Sequence, residues 1–277
     1  MKIHLLLLCF FLGYACQTTT DKKKEPVAEQ FTPTVPQFSQ DSIKAIFANL
    51  KLTGTFVVKS LATQETTIYN EARASTPFLP ASTFKIPNSL IALENQAVKD
   101  EKEVIPWDGE RRIVAQWNQD QDLRSALKYS CVWFYQELAR RVGEDRMRNH
   151  LKAMNYGNGD LSAGIDRFWL TGNFQISAMK QIAFLEKFYQ QDFPFTPRNY
   201  DIVKNALRVE QGTDYSLHAK TGWSGSSLDP QIAWYVGYLK HQEQVYLFAL
   251  NFVPTKNEDL KARQLITRRV FELAGLM

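Results

Sequence analysis

The sequence predicts one domain of the α/β class, in its α+β form, with a central antiparallel sheet built from both ends of the chain and a helical subdomain between them. Two β-rich runs, 54–59 and 66–69, are separated by a short polar turn, which is typical of a hairpin. The segment from about 86 to 210 instead places apolar residues at helical spacing. Strands and helices do not alternate, which argues against a parallel sheet. Three more β-rich runs follow the helical insert: 217–221, 232–239 and 245–252.

The helical insert contains three segments with a clear apolar stripe, 127–142, 145–154 and 177–189. A fourth amphipathic helix closes the chain from Asp259. Its predicted stripe consists of Leu265, Ile266, Val270 and Leu273.

Composition limits the classes of function. The chain has 277 residues, of which 44% are hydrophobic, so it can bury a large core and is not a disordered protein. Its net charge of +4 comes from scattered lysines and arginines, so no nucleic-acid partner is expected. No Gly-rich phosphate loop or internal repeat occurs. The four histidines, His4, His150, His218 and His241, lack metal-ligand spacing, so no metal is predicted, and His218 is interpreted as a strand residue.

The N-terminus has the pattern of an export signal. Lys2 precedes an apolar run from 5 to 14 that is too short to span a bilayer but suits a signal-peptide core. We therefore predict a signal peptide over 1–15 and an exported, periplasmic protein.

Cys16 stands at the end of the apolar run and begins a polar, proline-containing stretch, 16–37. This arrangement resembles a bacterial lipoprotein, with a lipid attached to Cys16 and a flexible tether before a catalytic domain at 38–277. Ordinary cleavage after Ala15 is the alternative. Cys131 is the only cysteine left in the domain, so no structural disulfide is expected and Cys131 is interpreted as a packing residue.

The pattern Ser-x-x-Lys occurs three times, at Ser82/Lys85, Ser125/Lys128 and Ser177/Lys180, so context must choose among them. Ser177 precedes an apolar helical run and fits a helix N-cap. Ser125 lies within a helical run, where a serine is usually a tolerated residue. Ser82 follows a proline turn and begins a helix with a strongly apolar stripe, so it is the candidate nucleophile.

A Ser and a Lys three positions apart at a helix start share a face, so the amine of Lys85 can act as the base for Ser82. Pro87 cannot donate a backbone hydrogen bond and must therefore lie in the first turn of the helix. Two further strings, Ser130-Cys131-Val132 and Lys220-Thr221-Gly222, complete a serine acyl-transfer pattern.

With these motifs in order, the chain resembles the class D, oxacillinase-type serine β-lactamases, of the penicillin-binding serine transferase superfamily, over nearly all of its mature length. The matching elements are Pro80-Ala81-Ser82-Thr83-Phe84-Lys85-Ile86-Pro87-Asn88, Ser130-Cys131-Val132, Tyr156-Gly157-Asn158, Gly164-Ile165-Asp166-Arg167-Phe168-Trp169-Leu170, Lys220-Thr221-Gly222-Trp223-Ser224-Gly225 and Arg263. Cys131, Trp223 and the short loop 226–231 depart from the family pattern in detail, so the resemblance leaves the substrate range open.

The resemblance implies a β-lactamase/transpeptidase-like fold and a mechanism. Ser82 would attack the lactam carbonyl of a small-molecule β-lactam, and Ser130 would pass a proton to the lactam nitrogen. Lys85 would take up carbon dioxide, supplied as bicarbonate, to become an N6-carboxylysine that serves as the base; no other cofactor is implied. Val132, Trp169 and Leu170 would line the pocket around the carboxylated Lys85. The peptide N–H groups of Ser82 and Trp223 would form the oxyanion hole. The substrate would be bound by Lys220, Thr221, Gly222 and Arg263.

For some of these residues a structural interpretation stays open. Val132 and Leu170 also fit an ordinary core, Arg263 fits a surface charge at a helix end, and Tyr156-Gly157-Asn158 fits a turn.

Two other functions use the same serine and lysine. A penicillin-binding DD-peptidase typically carries Asn where this chain has Val132. A non-hydrolysing penicillin sensor domain normally follows several transmembrane helices, whereas this sequence shows only the short N-terminal apolar segment. We therefore expect a hydrolase that gives resistance to β-lactam antibiotics.

Overall fold

A computed structural model describes residues 36–225 and 231–277. The predicted signal peptide, Cys16 and residues 16–35 of the predicted tether lie outside the described residues, as do residues 226–230 of the predicted short loop.

Within the described residues the sheet has six antiparallel strands, and it joins the two ends of the domain as the sequence predicts. The strand order is β2-β1-β6-β5-β4-β3, so the N-terminal hairpin pairs with the last strand of the chain. The predicted strand runs are therefore confirmed, with small extensions at their ends. The strands are β1 (Thr53–Ser60), β2 (Thr66–Tyr69), β3 (Arg208–Gln211), β4 (Tyr215–Ser224), β5 (Ile232–His241) and β6 (Gln244–Val253).

Helices fill the segment between β2 and β3, which confirms a helical subdomain between the strands. The last residues of the predicted insert, 86–210, instead begin β3, a strand that the sequence did not predict. The predicted helices at 145–154 and 177–189 are present, but the single predicted helix over 127–142 is wrong, because the chain breaks it into two. The helices are α1 (Gln40–Leu50), α2 (Glu71–Ser75), α3 (Lys85–Glu94), α4 (Leu123–Lys128), α5 (Val132–Val142), α6 (Glu144–Met154), α7 (Ala178–Gln190), α8 (Pro197–Ala206) and α9 (Ala262–Leu273).

The sheet is buried on both faces, which explains why β5 and β6 are apolar at nearly every position. Side chains alternate between the faces. Trp234 and Val236 join a large core with the helical insert, whereas Tyr235 and Leu239 join a smaller core under α1 and α9.

The predicted stripe of the last helix is partly wrong. Ile266 and Val270 are buried against the sheet, but Leu265 and Leu273 are about half exposed, and Phe271 takes the third core position. Within residues 36–225 and 231–277, no helix has the length and apolar content needed to cross a membrane.

Candidate active site

Ser82 lies in a tight 3₁₀ turn, Ala81–Phe84, that leads directly into α3. Ala81 has a φ of 49°, in the left-handed region that a residue with a Cβ enters only at a cost. Pro87 is the third residue of α3, so its missing N–H falls in the first turn, as the sequence predicts. The turn places Ser82 just before the N-terminus of the buried helix α3 and leaves the Ser82 side chain partly exposed.

Side chains from distant elements hold this turn in place. The Thr83 hydroxyl donates to the carbonyl of Pro80 at 2.7 Å and accepts from the Gln181 amide of α7 at 3.0 Å. The Trp234 indole of β5 donates to the carbonyl of Leu79 at 2.9 Å. These bonds offset the cost of the Ala81 conformation.

Gly222 lets β4 approach the turn closely. A Cβ atom on Gly222 would lie 2.9 Å from the carbonyl oxygen of Pro80 and 3.0 Å from the methyl carbon of Thr83. Any larger residue would push the strand away from Ser82, so glycine is required in the Lys-Thr-Gly string for packing.

Lys85 is completely buried at the start of α3, and its Nζ donates to Ser82 Oγ at 2.8 Å. The Nζ also lies 5.2 Å from the centre of the Tyr135 ring. No acidic side chain pairs with Lys85 in the part of the chain that the structure describes. Burial therefore lowers the pKa of Lys85 to about 7, since desolvation disfavours the ammonium form.

An aromatic cluster lies behind the turn. Trp169 is fully buried and stacks on Phe84, which precedes Lys85, with ring centres 5.1 Å apart. Phe168 meets the Trp169 ring edge-on at 5.0 Å. The Trp169 indole nitrogen is buried and has no hydrogen-bond partner among the described residues, which is unusual for a donor of this kind.

The other two predicted wall residues are only partly buried. Val132 opens α5, two residues after Ser130, and Leu170 packs on the larger core cluster. The core interpretation therefore fits Leu170, which can also line a pocket next to Trp169.

The loop that carries Trp169 is closed at its base by Asn158. The Asn158 amide donates to the carbonyl of Asn173 at 2.7 Å and accepts from the N–H of Gln175 at 3.2 Å. Across the loop, Arg140 of α5 pairs with Asp166 at 2.7 Å. The Tyr-Gly-Asn string is thus more than a turn, because it holds both ends of the tryptophan loop.

Ser130 lies between α4 and α5, with a φ of 55°. The Trp117 indole donates to the carbonyl of Tyr129 at 2.9 Å, and the N–H of Cys131 donates back to Ala126 at 2.8 Å. This tertiary hydrogen bond from Trp117 accompanies the break in the predicted continuous helix. Cys131 itself is buried, and burial raises the pKa of its thiol to about 11, as expected for a packing residue.

Lys220 of β4 reaches the same place from the sheet. Its buried Nζ donates to Ser130 Oγ and to the carbonyl of Thr221, both at 3.0 Å. Burial is the main cause that lowers the pKa of Lys220 well below its usual value, and the nearby charges of Lys85 and Arg263 lower it further.

Arg263 reaches from α9 to β4, where it donates to the carbonyl of Gly222 at 3.2 Å. It is partly buried, and desolvation lowers its pKa to about 10, so the interpretation as a free surface charge does not fit. Trp223 follows Gly222 at the end of β4, and its side chain is 45% exposed.

Comparison with known proteins agrees with this arrangement. Residues 53–272 match the family model of the penicillin binding protein transpeptidase domain. The chain is 45% identical to β-lactamase OXA-48 of Klebsiella pneumoniae and 41% identical to β-lactamase OXA-5 of Pseudomonas aeruginosa, over 83% of this chain and 87% of each relative. A class D β-lactamase structure from Nostoc superposes with a TM-score of 0.83 at 39% identity, over 87% of this chain and 100% of that one. FUS-1 (OXA-85), a class D enzyme of Fusobacterium nucleatum subsp. polymorphum, also gives a TM-score of 0.83, at 38% identity and the same coverage.

The chain belongs to the class D β-lactamases. It is therefore a hydrolase with the transpeptidase-like fold that the resemblance predicts.

The other two Ser-x-x-Lys pairs of this class D chain have structural roles. Ser177 accepts from the N–H of Lys180 and caps α7, as its context predicts. Ser125 exchanges hydrogen bonds with Asp122 in a capping box at the start of α4. His218 lies in β4 with its ring bonded to the carbonyl of Lys204 and to Ser216, as expected for a strand residue. No group of three or more His, Cys, Asp or Glu side chains suited to a metal occurs within the described ranges.

Sequence reasoning missed the residues that support the site rather than form it. Gln181 is buried in α7 and holds Thr83, yet it looks like any polar residue of an amphipathic helix. The left-handed Ala81 has no sequence signal beyond the preceding proline. Its position on the apolar side of the predicted helix is the one signal that could have identified Gln181, because a buried amide needs hydrogen-bond partners.

Proposed function

We propose that this enzyme hydrolyses β-lactam antibiotics through an acyl-enzyme on Ser82, with Lys85 carboxylated at Nζ as the general base, and so confers resistance. The observation that carries the proposal is the Nζ of a wholly buried Lys85, 2.8 Å from Ser82 Oγ and without an acidic partner in the described chain.

A charged lysine cannot accept the proton of Ser82. With a pKa of about 7, Lys85 carries a large neutral fraction near neutral pH, and a neutral amine can add carbon dioxide and release a proton. The surroundings fit that group, because the unpartnered indole N–H of Trp169 lies in the cluster beside this turn and can donate to a carboxylate oxygen. Val132, Trp169 and Leu170 would keep water away. When bound, the carboxyl group supplies a carboxylate that is deprotonated at neutral pH and so is available as a proton acceptor.

In acylation, the Ser82 proton moves to the base at Lys85 as a bond forms between Ser82 Oγ and the lactam carbonyl carbon. The carbon–nitrogen bond then breaks as Ser130 gives its hydroxyl proton to the leaving nitrogen. The proton held by the base at Lys85 passes to the Ser130 oxygen, so both groups return to their starting protonation states. Lys220, at 3.0 Å, orients Ser130 for this step and stabilises the electron density that develops on its oxygen. The peptide N–H groups of Ser82 and Trp223 would hold the carbonyl oxygen as it becomes negative.

The substrate carboxylate would bind to Lys220, Thr221 and Arg263, beside the backbone of Gly222. Arg263 is already aligned by its bonds to the carbonyls of Gly222 and Leu260, so little side-chain freedom is lost when an anion binds. A carboxylate bound beside Lys220 and Arg263 would also offset the repulsion between these two cations.

In deacylation, water attacks the ester carbonyl while the base at Lys85 takes its proton. Ser82 Oγ then leaves as the hydroxyl, and the enzyme is regenerated. This second use of the base separates a hydrolase from a DD-peptidase or a sensor that stays acylated.

The test combines turnover with carbon dioxide dependence. Below pH 7 the ammonium form of Lys85 prevails, so protein kept in degassed buffer near pH 6 should lose most of its activity. Added bicarbonate should restore it, and ¹³C-bicarbonate should give a carbamate signal that Lys85→Met lacks. A single burst without steady turnover of a chromogenic cephalosporin would indicate the sensor or peptidase instead. Full activity without any carbamate signal would leave Lys85 as a plain amine base.

We also propose export through the signal peptide 1–15 and attachment of a lipid at Cys16, with 16–37 as the tether that holds the enzyme at the periplasmic side of a membrane. Labelled fatty acid should enter the wild-type protein but not Cys16→Ala. Release of an unlabelled protein cleaved after Ala15 would contradict the lipid anchor.

A further inference from the structure

Next to the candidate active site, a cleft of about 910 Å³ opens along the outer edge of β4, with Lys220 in its lining. It is bounded by α4, α8, β3 and α9, and it shares Lys220 and Thr221 with the candidate active site. The strand β3 pairs with β4 only at residues 216–218, so the edge of β4 is not covered by β3 from Lys220 onward. We call this space the edge cleft.

The edge cleft is strongly cationic. Its charged lining residues are Arg124, Lys128, Arg208, Lys220, Arg268 and one carboxylate, Glu210.

Two of these cations are already neutralised. Arg268 pairs with Glu210, and Arg124 pairs with Glu101 at 2.9 Å. Lys128 and Arg208 form no ion pair within the residues that the structure describes. Both are exposed, so an anion in the cleft could meet their charges without a large desolvation cost.

We propose that the edge cleft binds an anionic substituent on the ring side of the substrate, so that the enzyme prefers β-lactams with a second negative charge there. This inference rests on the proposed function, which places the lactam nitrogen at Ser130 and the ring carboxylate at Lys220 and Thr221. In a cephalosporin, the carbon next to the carboxylate-bearing carbon is C3. A substituent at C3 therefore leaves the active site on the side of Lys220 and Thr221, where the edge cleft begins.

The charge pattern favours an anion over an apolar group. Lys128 and Arg208 both line the edge cleft, and charges up to about 8 Å apart still interact at physiological ionic strength, so a carboxylate held in the cleft would be attracted to them. Exposed cations of this kind mainly raise the rate of association and the selectivity for a charged partner. The preference for a carboxylate should therefore appear in kcat/KM.

The experiment compares two cephalosporins that share one acylamino side chain. Their C3 substituents differ only in ending with a free carboxylate or with its methyl ester. The measured quantity is the ratio of kcat/KM for the carboxylate to kcat/KM for the ester. Lys128→Gln and Arg208→Gln should each lower this ratio about threefold, and the double variant about tenfold, as expected for exposed charge pairs. High salt should lower the ratio of the wild type but hardly change that of the double variant.

Lys152→Gln is the matched control, because Lys152 is an exposed lysine of α6 and does not line the cleft. Its ratio should equal that of the wild type. If both substrates turn over but the ratio is the same in all variants, the edge cleft does not bind the substituent, while the proposed function stands. If neither substrate turns over, both proposals fail. A melting temperature for each variant checks that the exposed substitutions leave the fold intact.

Discussion

The two buried lysines of the active site differ in what surrounds them. Lys85, on the helical side, has apolar and aromatic neighbours and one side-chain acceptor, Ser82 Oγ. Lys220, on the sheet side, has the oxygens of Ser130 and Thr221 as acceptors and two other cations nearby. Burial lowers the pKa of both, and at Lys220 the nearby charges of Lys85 and Arg263 lower it further.

This difference indicates how one residue type serves two purposes. A lysine kept neutral by an apolar wall is suited to proton transfer and to carboxylation. A lysine kept among cations is suited to an anionic ligand, because a bound carboxylate relieves the repulsion. The catalytic base and the substrate clamp are thus separated by their surroundings within a single cleft.

The largest effect should come from Ser82→Ala, which removes the nucleophile that Lys85 serves. We expect kcat to fall at least about 1,000-fold, since the covalent route is lost, whereas the substrate clamp around Lys220 stays intact. Hydrolysis of a chromogenic cephalosporin measures the loss, and intact mass should show no acyl-enzyme. Ser125→Ala and Ser177→Ala should keep most activity. Substantial turnover by Ser82→Ala would overturn the nucleophile assignment.

The next effect should come from Trp169→Phe, which keeps an aromatic wall but removes the indole donor. We expect kcat to fall about tenfold at ambient carbon dioxide, because a carboxylate on Lys85 would lose a hydrogen bond to a charged group. Deacylation should suffer more than acylation, so the acyl-enzyme should accumulate in intact mass spectra. High bicarbonate should recover part of the rate.

Trp107→Phe is the matched control, because the Trp107 indole donates to the carbonyl of Glu110 in an outer loop. It should behave as wild type. Equal rates for Trp169→Phe and wild type, with the same bicarbonate response, would show that the indole does not support the base.

Arg263→Ala tests only the cationic group around Lys220, and leaves the surroundings of Lys85 unchanged. We expect KM to rise about tenfold while kcat changes by less than about threefold, because a carboxylate clamp holds the ground and transition states alike. Arg263→Lys should recover part of the loss. Arg269→Ala, an exposed arginine of the same helix, should leave KM unchanged. A loss in kcat alone would contradict the clamp.

The smallest effect is a gain in stability. In the folded protein the pKa of Lys85 is about 7, below its ordinary value of 10.5. At a pH between these two values, the unfolded chain therefore holds a proton on Lys85 that the folded protein lacks. The cost of burying Lys85 is therefore full below about pH 7 and disappears above about pH 10.5. Lys85→Met should abolish turnover yet raise stability by about 1–3 kcal/mol at pH 6, and the gain should shrink as the pH rises.

Thermal unfolding of carbon dioxide-free protein at several pH values measures this trend. Lys152→Met replaces an exposed lysine and should show no such pH dependence. A lower melting temperature for Lys85→Met at pH 6 would mean that the lysine stabilises the fold, against the proposed desolvation.

The sequence by itself determined five of the strands described, most of the helices and the choice of Ser82 among three similar pairs, but not the short strand β3. These conclusions follow from local rules. Alternating apolar residues predict strands, a proline fixes the first turn of α3, and the side chains of Ser82 and Lys85 meet because three residues nearly complete a helical turn.

Tertiary structure alone decided the properties that depend on distant neighbours. The break at Ser130 goes with a hydrogen bond from Trp117, and nothing in the local sequence predicts it. The lowered pKa of Lys85 arises only when other elements enclose it and exclude water. The edge cleft likewise exists because β3 covers only part of β4. Desolvation and charge clustering are properties of the assembled core, so a local pattern cannot encode them.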